Sequence, residues 1–181
     1  MTIAPWIQTF TGRRFWLDNP RPEDVDIIDI AHALSNENRF AGHTIRAYSV
    51  AEHSVRVAAL LPVELKLWGL LHDAAEAYVK DIPKPLKAML PEYRAIEERI
   101  QRAVCVRFGL QWLMPAEVEE ADAIMLRVEA LSLFESPPID GWTDGLPVHP
   151  YGEEYRIDPM DIWTPTSAAY TFSVACDEAG A

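Results

Sequence analysis

Residues 69–83, GLLHDAAEAYVKDIP, begin as an apolar helical wall and then place His72, Asp73, Glu76 and Asp81 within ten positions. Burying such groups without partners costs several kcal/mol each. A fold that accepts this segment as part of its core must therefore give those four side chains something to bind. This requirement narrows the architecture more than any other feature of the chain, because whatever packs against the segment has to bring polar or metal-ligating groups with it.

The neighbouring segments are helical as well. Apolar residues recur at helical spacing in VDIIDIAHALS, with Pro22 and two acids ahead of it. YSVAEHSVRVAALLP carries Ser49 and Glu52 in the spacing of a capping box and stops at Pro62. VELKLWGLLHDAAEAYV reads as a third helix broken by DIPKP. PEYRAIEERIQRAVCVRFG is a fourth, between Pro91 and Gly109, PAEVEEADAIMLRVEALSLFE a long fifth, and PTSAAYTFSVACDE a last. WIQTFTGRRFWL alternates about Thr11-Gly12, as a β-hairpin does. The expectation is an all-α bundle with a small N-terminal β-hairpin and a long ordered loop before the last helix. A chain of 181 residues with 49% hydrophobic content suits one core. We expect a single domain over residues 1–181, with its core at about 24–135, a peripheral flap at 1–20, and the loop and last helix at 136–181.

Charge and cysteines exclude several classes. Against 16 Lys and Arg stand 28 Asp and Glu, a net charge of −12, which argues against binding polymeric nucleic acid. A small phosphorylated ligand needs only a few local cations and stays open. Cys105 and Cys176 match neither a disulfide framework nor a CxxC knuckle, and are expected as reduced thiols. No secretory leader or membrane span is legible, so the expected location is cytoplasmic, with no membrane partner.

The ionisable residues of three helices fall on apolar stripes. His53 lies on Val50, His53, Val57, Leu60; His72 on Trp68, Leu71, His72, Ala75; Asp122 on Val118, Ala121, Asp122, Met125. One buried His is usually a hydrogen-bonded core residue, and one mid-helix Asp usually an ion-pair partner. The ordered set carries more: a His, a His-Asp pair 19 residues on, and an Asp 49 residues after that. Two imidazoles and two carboxylates converging in a bundle make a mixed nitrogen and oxygen site for a divalent ion.

The set His53, His72-Asp73, Asp122 resembles the H…HD…D signature of the HD-domain metal-dependent phosphohydrolases. SVAEHS, HDAAEAYVKDIPKPLK, EYRAIEERIQ, EEADAIMLRVEAL and the earlier ENRFAGHT resemble, in order, its bacterial 5′-deoxynucleotidase branch, over about residues 36–135. Phage dATP triphosphohydrolases are similar to the same branch. The resemblance implies that His53, His72, Asp73 and Asp122 ligate one divalent ion, with Co²⁺, Zn²⁺ or Mn²⁺ ahead of Mg²⁺, which would serve as a second ion with a triphosphate. It implies hydrolysis of a small deoxynucleotide, dNMP or dNTP, by water attack on phosphorus, in a homo-oligomer from dimer to hexamer. Glu76, one turn beyond His72, is expected as general base or water-orienting group, and Asp81 as the group that protonates the leaving oxygen or holds the sugar. Arg39 matches a substrate-contacting Arg. Phe40 stands where the branch carries Trp, keeping the wall against the sugar but losing the indole NH. Lys80, Lys84 and Lys87 form either a phosphate rim or an exposed lysine cluster. His43 and Arg46 line the entrance or the loop, and Trp16 with Phe15 stacks a base or packs the flap.

Two other readings differ in kind: a hydrolase of another small nucleotide such as an alarmone, and a metal- or nucleotide-sensing module without catalysis.

Overall fold

Local sequence signals start and stop most of the helices. In the computed structural model, which describes residues 4–181, α1 (Ile27–Asn36) is capped by the Asp26 carboxylate, which accepts from the Ile28 amide at 2.9 Å. Pro22 opens a separate 3₁₀ turn, Pro22–Asp24, rather than the helix itself. Ser49 caps α2 (Val50–Ala59) by accepting from the Glu52 amide at 3.1 Å. Only this half of the capping box forms, because the Glu52 carboxylate turns to Arg56 at 2.7 Å and accepts from the Trp163 amide at 2.9 Å.

The expected third helix is interrupted where its ionisable residues lie. It divides into α3 (Lys66–Leu71) and α4 (Glu76–Val79), joined by a tightly wound turn with i→i−3 bonds from Ala74 to Leu71 (3.1 Å) and from Glu76 to Asp73 (3.0 Å). Tighter winding leaves the Ala75 amide at the joint without a helical partner. Gln101 braces the joint: its amide oxygen accepts from the Ala75 amide at 3.1 Å, and its amide nitrogen donates a second bond to the Leu71 carbonyl at 2.7 Å. Beyond α4, Lys80 takes φ +74° and the chain turns through DIP into α5 (Lys84–Lys87). Then follow α6 (Pro91–Arg107), which contains Gln101, and α7 (Ala116–Ser132). Residues 133–164 form a long connection with 3₁₀ turns at Ile139–Gly141 and Pro159–Asp161. Thr164 caps α8 (Pro165–Glu178), accepting from Ser167 at 3.2 Å.

The core extends past the boundaries read from sequence. α8 packs against α1, α2 and α3, and its Ala168, Phe172 and Cys176 are fully buried. The hairpin, β1 (Trp6–Gln8) paired antiparallel with β2 (Arg14–Trp16), turns through Gly12 at φ +85°. It is more than a flap: Phe15 is wholly buried and stacks on Tyr78 of α4 at 3.8 Å. A second cluster, including Tyr48, Trp68, Met125 and Leu133, joins α3 and α7 beside α2. Cys105 and Cys176 are buried free thiols. No helix among the described residues is long and apolar enough to cross a membrane.

Candidate metal centre

α2 packs against both α3 and α7, so the inner face of α2, the joint after α3 and the middle of α7 meet at one point. His53 arrives from α2, His72 and Asp73 from the joint, Asp122 from α7. His53 Nε2 lies 3.3 Å from His72 Nε2 and 3.2 Å from Asp122 Oδ1. Asp73 Oδ2 lies 3.1 Å from His72 Nε2 and 3.9 Å from His53 Nε2. Ligand atoms about 2.1 Å from a shared ion and about 90–110° apart lie about 3.0–3.4 Å from one another. Three of these four spacings fall at that value, and the fourth suits a wider angle. His53, His72 and Asp122, with candidate donor atoms all within 4.8 Å of one another, can hold a metal ion.

The rings are oriented for it. His53 Nδ1 faces Glu129 Oε1 at 2.6 Å and His72 Nδ1 faces the Gly69 carbonyl at 2.7 Å. Both partners only accept, so each Nδ1 carries the hydrogen and each neutral ring turns an Nε2 lone pair inward. Two lone pairs so close repel without a cation between them. Accordingly, although burial opposes its charge, His72 is pushed up to about 9 by the Asp73 and Asp122 carboxylates. Burial likewise opposes charge on Asp73 and Asp122, yet His72 holds Asp73, and His53 holds Asp122, well below the usual carboxylate range.

A cavity of about 310 Å³ opens on this cluster, a volume at the lower end for small-ligand sites. Asp73 and Asp122 line it, as do Glu76, Asp81, Lys84 and Lys87. Glu76 is only 6% exposed, and its Oε2 has no hydrogen-bond partner while Oε1 lies 3.4 Å from Lys87 Nζ. Burial, then the charges of Asp73 and Asp81, hold Glu76 well above the usual carboxylate range. Burial also raises Asp81, with Arg39 opposing. A second cavity of about 310 Å³ shares Asp73, Glu76 and Lys87 and adds His72, Arg94 and Gln101.

The other expected site residues divide. Arg39 and Phe40 line the main cavity. Arg39 is buried, however, with Nε donating to Glu129 Oε2 at 3.1 Å and Nη1 3.6 Å from Asp73, so two of its guanidinium nitrogens already face carboxylates of the protein. Lys84 Nζ stands 3.4 Å from Asp122 Oδ2, and Lys87 pairs with Glu97 at 2.5 Å. Lys80 is a correction to the three-lysine rim: it pairs with Glu37 at 2.5 Å and lines neither cavity, because the left-handed turn at Lys80 sends it to solvent. Arg46 reaches instead to Met160 Sδ at 3.1 Å. His43 is exposed and lines a third, adjoining cavity of about 500 Å³. Trp16 sits on the hairpin opposite Trp6, near the Arg14 guanidinium, and Phe15 is in the core; neither lines the main cavity.

Two further residues sit at the site without being among those expected from the sequence. Glu129 is fully buried and ties His53 to Arg39, which keeps its carboxylate below the usual range despite burial. Its signal was present, since it falls seven residues after Asp122 on the same stripe of α7, an acid where the pattern asks for an apolar residue. Trp142, in the long connection, lines both the main cavity and the third one.

No protein-family model matches the chain. The chain is 45% identical over 128 residues to the uncharacterized protein YfdR of Escherichia coli, covering 71% of this chain and 72% of that protein. It is 38% identical over 139 residues to the uncharacterized protein RCAP_rcc00048 of Rhodobacter capsulatus, covering 69% and 71% respectively. At this identity and coverage, the chain belongs to the same family as YfdR.

Proposed function

We propose that the protein is a metal-dependent nucleotide phosphohydrolase of the HD-domain type, acting on deoxynucleoside mono- or triphosphates. The observation that carries the reading is the conjunction at one cavity of an ion-competent donor set, a buried carboxyl with an unpartnered oxygen on Glu76, and the ammonium groups of Lys84 and Lys87. The donors are mixed imidazole and carboxylate, which suits Co²⁺, Zn²⁺ or Mn²⁺, with Mg²⁺ as a second ion on a triphosphate. An ion held by His53, His72, Asp73 and Asp122 supplies Lewis acidity, lowering the pKa of water toward 7 and drawing charge from phosphoryl oxygens.

The chain's own groups do the rest. Glu76, buried on the cavity wall one turn beyond His72 with an unpartnered oxygen, takes the proton of the water that attacks phosphorus. As the new P–O bond forms and the old one breaks, Asp81, which lines the same cavity and is raised by burial toward its protonated form, delivers a proton to the departing oxygen. Lys84 and Lys87 neutralise phosphate oxygens from the cavity wall. Arg39, fixed by Glu129, adds a permanent positive charge beside Asp73 rather than a bidentate clamp. Phe40 supplies the wall against the sugar.

The test is turnover. Protein loaded with Co²⁺, Mn²⁺ or Zn²⁺ is incubated with each dNMP and dNTP, and products are resolved by chromatography. Release of phosphate or polyphosphate that is lost in His72→Ala is the expected result. Silence across all nucleotides and metals overturns the reading, and nucleotide binding without turnover assigns the site to sensing instead.

A further inference from the structure

The main cavity changes character along its wall. Its buried lining is charged, with Arg39 and Glu76 under 10% exposed, while its outer lining includes Ile82, Pro83, Pro85 and Trp142. Trp142 is 47% exposed, which core packing does not explain.

Its position is built. The turn Ile139–Gly141 before it places Asp140 at φ +53° and Gly141 at φ +64°. At that φ a side chain on Gly141 would be strained, and its Cβ would also press on the Asp144 carboxylate, so the turn favours glycine there. After Trp142, the carbonyls of Thr143 and Leu146 both accept from Arg127 Nη1 at 3.2 Å. Arg127 lies on α7, five residues beyond Asp122. One helix thus provides an ion ligand and the anchor for the indole. Phe40, on the wall of the main cavity, meets Phe134 edge-on at 5.2 Å, and Phe134 and Trp142 line the adjoining 500 Å³ cavity. Meanwhile the hairpin aromatics Phe15 and Trp16 are committed elsewhere.

We infer that Trp142 is the base-stacking residue of this site: the base of a nucleotide lies on its indole while the phosphate reaches Lys84 and Lys87. The inference rests on the nucleotide reading above and adds which residue distinguishes a nucleotide from a bare phosphate ester. Every base has a π-face, so stacking provides affinity for the base without by itself choosing which one.

The experiment compares wild type, Trp142→Ala and Trp142→Phe on the four dNMPs and dNTPs and on 2-deoxyribose 5-phosphate and tripolyphosphate, which carry reacting groups without a base. In Trp142→Ala the ratio of kcat/KM on the preferred nucleotide to that on its base-free counterpart is expected to fall about 5- to 150-fold, through KM, and Trp142→Phe to recover most of it. An unchanged ratio overturns the stacking role while leaving the hydrolase reading intact. If wild type turns over none of these compounds, the hydrolase reading fails, and calorimetric titration of the same nucleotides decides the stacking role. Weaker binding by Trp142→Ala then supports it, and equal binding, or none by wild type, overturns it.

Discussion

Glu129→Gln isolates the support beneath the candidate metal centre. Glu129 is wholly buried; one oxygen accepts from His53 Nδ1 at 2.6 Å and the other from Arg39 Nε at 3.1 Å. Glutamine preserves shape but offers one oxygen and an NH₂ where both neighbours donate. If the NH₂ faces His53, Nδ1 becomes an acceptor, the ring hydrogen moves to Nε2, and the lone pair aimed at the ion is lost. If the oxygen faces His53 instead, the tautomer survives but the charge that strengthens the imidazole as a ligand is gone, and Arg39 loses its partner. Either outcome weakens ion binding, and removal of such supporting groups typically costs 10–100-fold in metal affinity, about 1.4–2.7 kcal/mol. Breaking a buried ion pair costs about 3–5 kcal/mol of stability, and here the lower end applies because Asp73 stays 3.6 Å from Arg39. Metal affinity of wild type and variant is measured by competition with a chelator at a temperature where circular dichroism shows both folded. Wild-type affinity for Co²⁺ or Zn²⁺ in folded Glu129→Gln would refute the role assigned to this carboxylate.

Three further outcomes follow from the packing and the charges. His72 has its ordinary value of 6.5 raised to about 9 in the metal-free fold, so its proton stabilises that fold fully below pH 6.5 and the contribution disappears between pH 6.5 and about 9. The ion has to displace the same proton, so apparent metal affinity should rise about tenfold per pH unit across that window; a flat profile in a binding titration contradicts it. Gly69→Ala places a Cβ 2.5 Å from Leu61 Cδ1 and 3.0 Å from the Ala58 Cα, so the α2–α3 contact is forced apart. A loss of about 1–3 kcal/mol by urea unfolding is expected, outweighing the ~1 kcal/mol that alanine gains in helix propensity. Phe172→Ala should cost about 3–5 kcal/mol in the same assay, because the ring is fully buried; a change near zero would show that α8 is an appendage rather than core.

Much of the architecture and the centre of the site are local properties of this chain. Apolar spacing, Ser49, Asp26 and Thr164 as caps, and prolines at 91 and 165 determine where helices run, because each acts within a turn or two of itself. The placement of His53, His72 and Asp122 on apolar stripes was legible for the same reason: a side chain on the inner face of a helix points inward whatever that helix packs against. Other features depend on partners far along the chain. The break at His72–Ala75 depends on Gln101 to satisfy it, and local spacing alone read straight through it as helix. Glu129 gains its meaning only when α7 sets it 2.6 Å from His53, and Lys80 leaves the rim only because the chain turns left-handed there. Trp142 comes to the cavity through an Arg127 anchor and two residues with positive φ. Periodicity specifies the face a residue occupies, but which atoms meet across that face depends on helix packing and loop closure, and these only the tertiary structure decides.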